Sequence, residues 1–109
     1  MRDYRLYCDD IILAIKKIER YVKDKTVADI KKDDLLIDGI TRNLEIIGEA
    51  VKNIPVAVKK EHPEIEWKKV AGLRDILAHE YFGVDVDVIW DVVITKLPLL
   101  KEKIKKLVK

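Results

Sequence analysis

Between Gly72 and Gly83 the chain reads GLRDILAHEYFG, and this short stretch holds Arg74, His79 and Tyr81. Arginine presents a planar fork of donors suited to phosphate oxygens, and histidine exchanges its proton near neutral pH. A tyrosine hydroxyl can accept a nucleotide. The chemistry that a site of these types could perform is phosphodiester cleavage in RNA. A histidine can take the proton of a ribose 2′-hydroxyl or give one to the departing 5′-oxygen, while an arginine stabilises charge gathering on the phosphate. The nucleophile is already on the substrate, so the reaction needs no metal. The chain correspondingly lacks the clustered His and Cys ligands of a zinc site.

Five residues separate Arg74 from His79, which on a continuous helix is a rise of ~7.5 Å and a rotation of about 140°. The two side chains then do not share a face. A helix ending near Ala78 would swing His79 and Tyr81 outward, into a cleft that a long arginine reaches. A two-fold partner helix offers a second route, each chain placing its Arg74 near the His79 of the other. The spacing favours such a composite site. The non-catalytic alternative is that Arg74 pairs with an acid, His79 caps the helix and Tyr81 packs.

The elements that must position these residues are helical. From Asp3 to about Lys23, the apolar residues Tyr4, Tyr7, Cys8, Ile11, Ala14, Ile15, Ile18 and Val22 follow steps of three and four. Thr26 and Asp29 have the spacing of a capping box and predict a brief helix over Val27 to Lys31. Asp33 or Asp34 caps the next long helix, whose inner stripe is Ile37, Ile40, Leu44, Ile47, Val51 and Ile54. Gly39 and Gly48 lie inside it, and close approach of a neighbouring helix explains them. Pro55 fits the first position of a third helix ending near His62, stopped by Pro63 and EIEW. Trp67 to Ala71 reads as a short turn leading to Gly72. Leu73, Ile76 and Leu77 then give the next segment a narrow apolar face that Gly83 ends. Asp85 or Asp87 caps a further helix with Val88, Ile89, Val92, Val93 and Leu97 inward. Pro98 kinks or restarts it before the tail KEKIKKLVK. With no strand pattern, linker or repeat, residues 1–109 read as one all-α domain, a bundle of four to five helices.

Composition narrows the functions further. Of 109 residues, 49% are hydrophobic and 39% charged, the balance of a soluble globular domain. Serine is absent, which excludes a serine nucleophile, and Cys8 is the only thiol, which excludes an internal disulfide. No window approaches the ~18 apolar residues of a membrane span. The N-terminus MRDYRLYCDD has no apolar signal run, so a cytoplasmic location without membrane contact is expected. A net charge of +2 predicts neither strong nucleic-acid binding nor its absence, and any anion site must be local.

Other polar features have simpler readings. His62 suits the negative end of a helix dipole. The lysines of the tail, Lys101 to Lys109, could touch RNA or a partner protein, but suit a solvated helix end. The cluster Lys16, Lys17, Arg20, Lys23 and Lys25 reads as a solvated face. Asp85, Asp87 and Asp91 could meet a cation, but capping explains them without a further ligand. Trp67 and Trp90 could stack on bases, but lie in apolar stripes that suit the core.

Arg74, His79 and Tyr81 form the pattern RX4HXY, which resembles the motif of the HepT-like branch of the HEPN superfamily. RNLEIIGEA at 42–50, HPEIEW at 62–67 and AGLRDILAHEYFGVD at 71–85 are similar to that branch in the same order. The resemblance covers nearly the whole chain. It implies a HEPN-type up-and-down helical bundle that pairs as a homodimer with its cleft at the two-fold. It also implies a metal-independent endoribonuclease, the toxin of a toxin–antitoxin pair, with Arg74 and His79 as the catalytic pair. The implied partner is an MntA-type nucleotidyltransferase antitoxin that moves AMP from ATP onto Tyr81, where a charged adenylate would occupy the RNA phosphate site. No cofactor is implied beyond that ATP, used by the partner. Asp75 departs from the polar residue favoured after the arginine. Its charge either weakens RNA binding or orients Arg74 through a charge-assisted hydrogen bond. The alternative function is a non-catalytic module that binds a nucleotide or docks the nucleotidyltransferase.

Overall fold

Helix α1 (Tyr4–Val22) starts where Asp3 accepts the backbone N–H of Arg5 at 2.9 Å. Bonds from the Arg5 side chain, then from its backbone, hold the Asp3 carboxyl below the usual carboxylate range. The computed structural model describes residues 2–79 and 85–108, without the side chains of 75–79. Along α1, Cys8, Ile11, Ala14, Ile15 and Ile18 are buried, as the three-and-four spacing predicts.

The short α2 (Val27–Lys31) has the expected capping box. Thr26 Oγ1 accepts the Asp29 N–H at 3.2 Å, and the Thr26 N–H donates to Asp29 Oδ2 at 2.8 Å. That backbone bond is the main reason the Asp29 carboxyl lies below its ordinary range. Asp33 is the residue that caps α3 (Asp34–Lys52), accepting the Leu36 N–H at 3.0 Å. Ile40, Leu44, Ile47 and Val51 are buried along it, and Ile54 is buried just beyond its end. Pro55 stands one residue before α4 (Val56–Glu61), and His62 follows it.

Trp67–His79 forms one helix, α5, where the sequence suggested a short turn and a second segment meeting at Gly72. A glycine costs about 1 kcal/mol in a helix interior but does not remove a hydrogen bond, so packing overrides it. A Cβ at Gly72 would meet nothing within 4 Å, so no close contact requires glycine there. The expected stop at Gly83 lies outside the described residues.

Asp85 caps α6 (Val86–Asp91), accepting the N–H groups of Asp87 and Val88. One π-helical turn, Val92–Lys96, then joins α6 to α7 (Leu97–Leu107). The Leu97 N–H donates to Val92 O, five residues back, so the widened turn places Pro98 in the first turn of α7. A missing N–H is harmless there. Ile89, Val92, Val93 and Leu97 face inward as expected, whereas Val88 is 48% exposed.

In space α3 lies between α1 and α5, and α7 packs on α1. Ile11, Ile15 and Ile18 of α1 meet Ile40, Leu44 and Ile47 of α3 and Ile104 of α7 in a core shielded from water. Burial of each such side chain contributes about 1.5–3 kcal/mol. The described residues are all-helical, built on four long helical units, α1, α3, α5 and α6–α7, with two short helices between them.

Candidate functional site

Arg74 points from α5 towards α3, where its Nη1 donates to Glu49 Oε2 at 2.7 Å. The backbones of the two helices come close because position 48 carries no side chain. A Cβ on Gly48 would lie 3.1 Å from Arg74 Cβ and 3.2 Å from the Ala71 carbonyl oxygen. Close approach therefore explains Gly48. At Gly39 the neighbour is the Tyr21 ring at 3.4 Å, an ordinary contact.

Arg74 lines a polar cleft of about 400 Å³. Arg42, Glu45, Ile46 and Glu49 form its α3 wall, a face at three-and-four spacing that Asn53 continues just past the helix end. Tyr7 and Asp10 enter from α1, with Arg2 just before it. The Arg2 guanidinium sits 4.7 Å from the centre of the Tyr7 ring and donates to Asp10 Oδ2 at 2.7 Å. Arg42 lies 3.8 Å from Glu45. Among the described residues, three arginines in the cleft are thus matched by three carboxylates. These pairs are solvent-exposed, and such pairs contribute about 0–1 kcal/mol.

His79 is the last described residue of α5. The helix is unbroken from Arg74 to His79, so their backbones keep the ~7.5 Å rise and roughly 140° rotation of a regular helix. The turn expected after Ala78, which would swing His79 and Tyr81 towards Arg74 within one chain, lies outside the described residues. Asp75 follows Arg74 on the same helix, with its side chain outside the described residues, and Tyr81 lies wholly outside them. Sequence reasoning missed Glu49, Arg42, Arg2 and Tyr7. The signal for the α3 pair was present as a polar stripe at 42, 45, 49 and 53, opposite the apolar one.

The other polar candidates have structural work. His62 Nδ1 lies 3.1 Å from Glu64 Oε1, and its carbonyl accepts the Trp67 indole N–H at 3.0 Å. The backbone N–H of Glu64, then His62, hold the Glu64 carboxyl below its usual range. Trp67 and Trp90 are both partly buried against the core. Asp87 pairs with Lys31 at 3.1 Å, and Asp91 accepts the Thr95 hydroxyl at 3.2 Å. Among the described residues no group of three or more His, Cys, Asp or Glu side chains could hold a metal ion. In the tail, Lys101 binds Glu19 at 2.8 Å and Lys103 donates to the Glu64 carbonyl at 2.9 Å. Both lysines therefore brace the bundle. No described helix is long and apolar enough to cross a membrane.

An all-helical bundle carrying an arginine-lined polar cleft is the class that this geometry defines. The chain belongs to the ribonuclease HepT-like family, whose model matches residues 11–107. It is 45% identical over 106 residues to a protein of Thermococcus cleftensis named "Probable ribonuclease HepT", covering 97% of this chain and 96% of that one. A Caldanaerobacter subterraneus protein named "Putative RNase" is 38% identical over 107 residues, covering 98% of this chain and 96% of its own. A Methanocaldococcus jannaschii protein named "Gamma-glutamylcyclotransferase and putative RNase" is 43% identical over 106 residues. This chain spans 48% of that longer relative. No solved structure gives a significant match.

Proposed function

We propose that this protein is a metal-independent endoribonuclease acting as the toxin of a toxin–antitoxin pair, with Arg74 and His79 as the catalytic residues. The carrying observation is the placement of Arg74, the arginine of the RX4HXY pattern, on a polar cleft in a HepT-like chain. In the reaction the ribose 2′-oxygen bonds to phosphorus as the P–O5′ bond breaks. His79 takes the 2′-hydroxyl proton or gives one to the leaving oxygen. Arg74 stabilises the negative charge gathering on the phosphate. The products are a 2′,3′-cyclic phosphate and a 5′-hydroxyl.

Five residues along a regular helix turn two positions by roughly 140°, which supports a composite site. The proposed assembly is a homodimer in which Arg74 of one chain serves the His79 of the other. Regulation is by a nucleotidyltransferase partner of the MntA type, in the cytoplasm. The Tyr81 oxygen attacks the α-phosphorus of ATP, pyrophosphate leaves, and the attached AMP carries a charge that competes for the phosphate site.

The test is RNA cleavage in EDTA by wild-type, Arg74→Ala and His79→Ala proteins. Loss of cleavage in both variants is expected, and equal activity in all three overturns the assignment. For regulation, intact mass after co-expression with the transferase should rise by one or more AMP units, and Tyr81→Phe should abolish the increase. One observation favours a second reading, a non-catalytic binding module: each arginine among the described residues of the cleft already faces a carboxylate. Unmodified protein that binds RNA or nucleotide without cutting would establish it.

A further inference from the structure

Two consecutive residues of α3 hold Arg74 at its two ends. Gly48 leaves the notch in which the Arg74 Cβ sits, and Glu49 binds the guanidinium through Nη1 at 2.7 Å. An arginine side chain has four rotatable bonds, so fixing only its root leaves its head free to wander. The bond to Glu49 restrains that head.

We propose that Glu49 is a positioning residue for Arg74, holding its guanidinium where the reacting phosphate arrives. This rests on the ribonuclease reading above. The contact runs from one corner of the guanidinium fork, one N–H of the five such a group carries, so Glu49 aims the head without saturating it. Among the described residues, the other carboxylates on the cleft have other assignments, Asp10 to Arg2 and Glu45 to Arg42. Both members of the Arg74–Glu49 pair are about half exposed, at 48% and 55%. Exposed pairs add little to folding stability, so losing Glu49 should leave the fold nearly unchanged.

The proposal is tested by steady-state RNA cleavage with Glu49→Ala and Glu49→Gln, alongside wild type and Arg74→Ala. For Glu49→Ala, kcat should fall about 10- to 100-fold with KM within about threefold of wild type, as expected when a transition-state contact is misplaced. The amide oxygen of Glu49→Gln can still accept from Nη1, so this variant should recover to within about fivefold of wild type. The thermal midpoint should stay unchanged in both. If Arg74→Ala is inactive while Glu49→Ala matches wild type, Glu49 has no positioning role, although the ribonuclease reading stands. A lower KM in Glu49→Ala overturns the proposal as well, because the carboxylate would then be competing with the RNA phosphate.

If the wild-type protein does not cleave RNA, the ribonuclease reading fails by itself. Positioning is then judged by nitrogen-15 relaxation of the Arg74 Nε–H group. Restricted motion in wild type and freer motion in Glu49→Ala are expected, and equal mobility in the two proteins overturns the proposal.

Discussion

A side chain on Gly48 would begin 3.1 Å from the Cβ of Arg74, so the absence of a side chain at one residue sets where the arginine can stand. The same added carbon would lie 3.2 Å from the Ala71 carbonyl oxygen, which is backbone and cannot rotate away. Gly48→Ala should therefore push α5 outward. Overpacking costs about 1–3 kcal/mol and the better helix propensity of alanine offsets about 1 kcal/mol, leaving a net loss near ~1 kcal/mol. Thermal unfolding should show a midpoint lower by about 4–8 °C. An unchanged or raised midpoint would mean that α5 moves away freely.

Cys8 gives a pH dependence. It is fully buried on α1, and burial, with smaller contributions from Asp9 and Asp3, pushes its thiol from 9.0 up to about 11. Between these values the unfolded chain has released the proton and the folded chain has kept it. Stability therefore falls as pH rises through this window and is unaffected below it. Relative to Cys8→Ala, the wild-type protein should lose about 1 kcal/mol of unfolding free energy between pH 8 and pH 10. Denaturant titrations at the two pH values measure the difference, and parallel behaviour of the two proteins would refute it.

Trp67 joins α5 to the end of α4, because its indole N–H is shared between the Lys59 carbonyl at 3.2 Å and the His62 carbonyl at 3.0 Å. Trp67→Phe keeps a ring but removes the donor. A loss of about 1–2 kcal/mol is expected from urea unfolding, the usual cost of deleting one partly buried hydrogen-bonding group. A variant as stable as wild type would show that water replaces the indole without penalty.

Lys101 and Glu19 tie α7 to α1 through two bonds of 2.9 and 2.8 Å, with the lysine side chain only 18% exposed. A double-mutant cycle with Lys101→Met and Glu19→Gln should return a coupling of about 1 kcal/mol or more, at or above the top of the range for exposed pairs. RNA affinity of Lys101→Met, measured across salt concentrations, should match wild type. A shallower salt dependence would instead place Lys101 on the RNA.

The amino-acid sequence alone determined the local features of this protein. Apolar residues at steps of three and four fixed the buried faces of α1 and α3, because that period is set by the helix itself. The Thr26–Asp29 box was equally legible, since each bond closes within three residues, whereas the cap of α6 was open between Asp85 and Asp87 until the structure placed it at Asp85. The sequence could not show that α5 runs through Gly72, because glycine weakens a helix without breaking it and packing decides the outcome. Nor could it show the π turn that accommodates Pro98. Above all, the hold on Arg74 joins residues 25 positions apart. It exists only because α3 and α5 close together over Gly48, a distance that side-chain volume sets and sequence spacing does not.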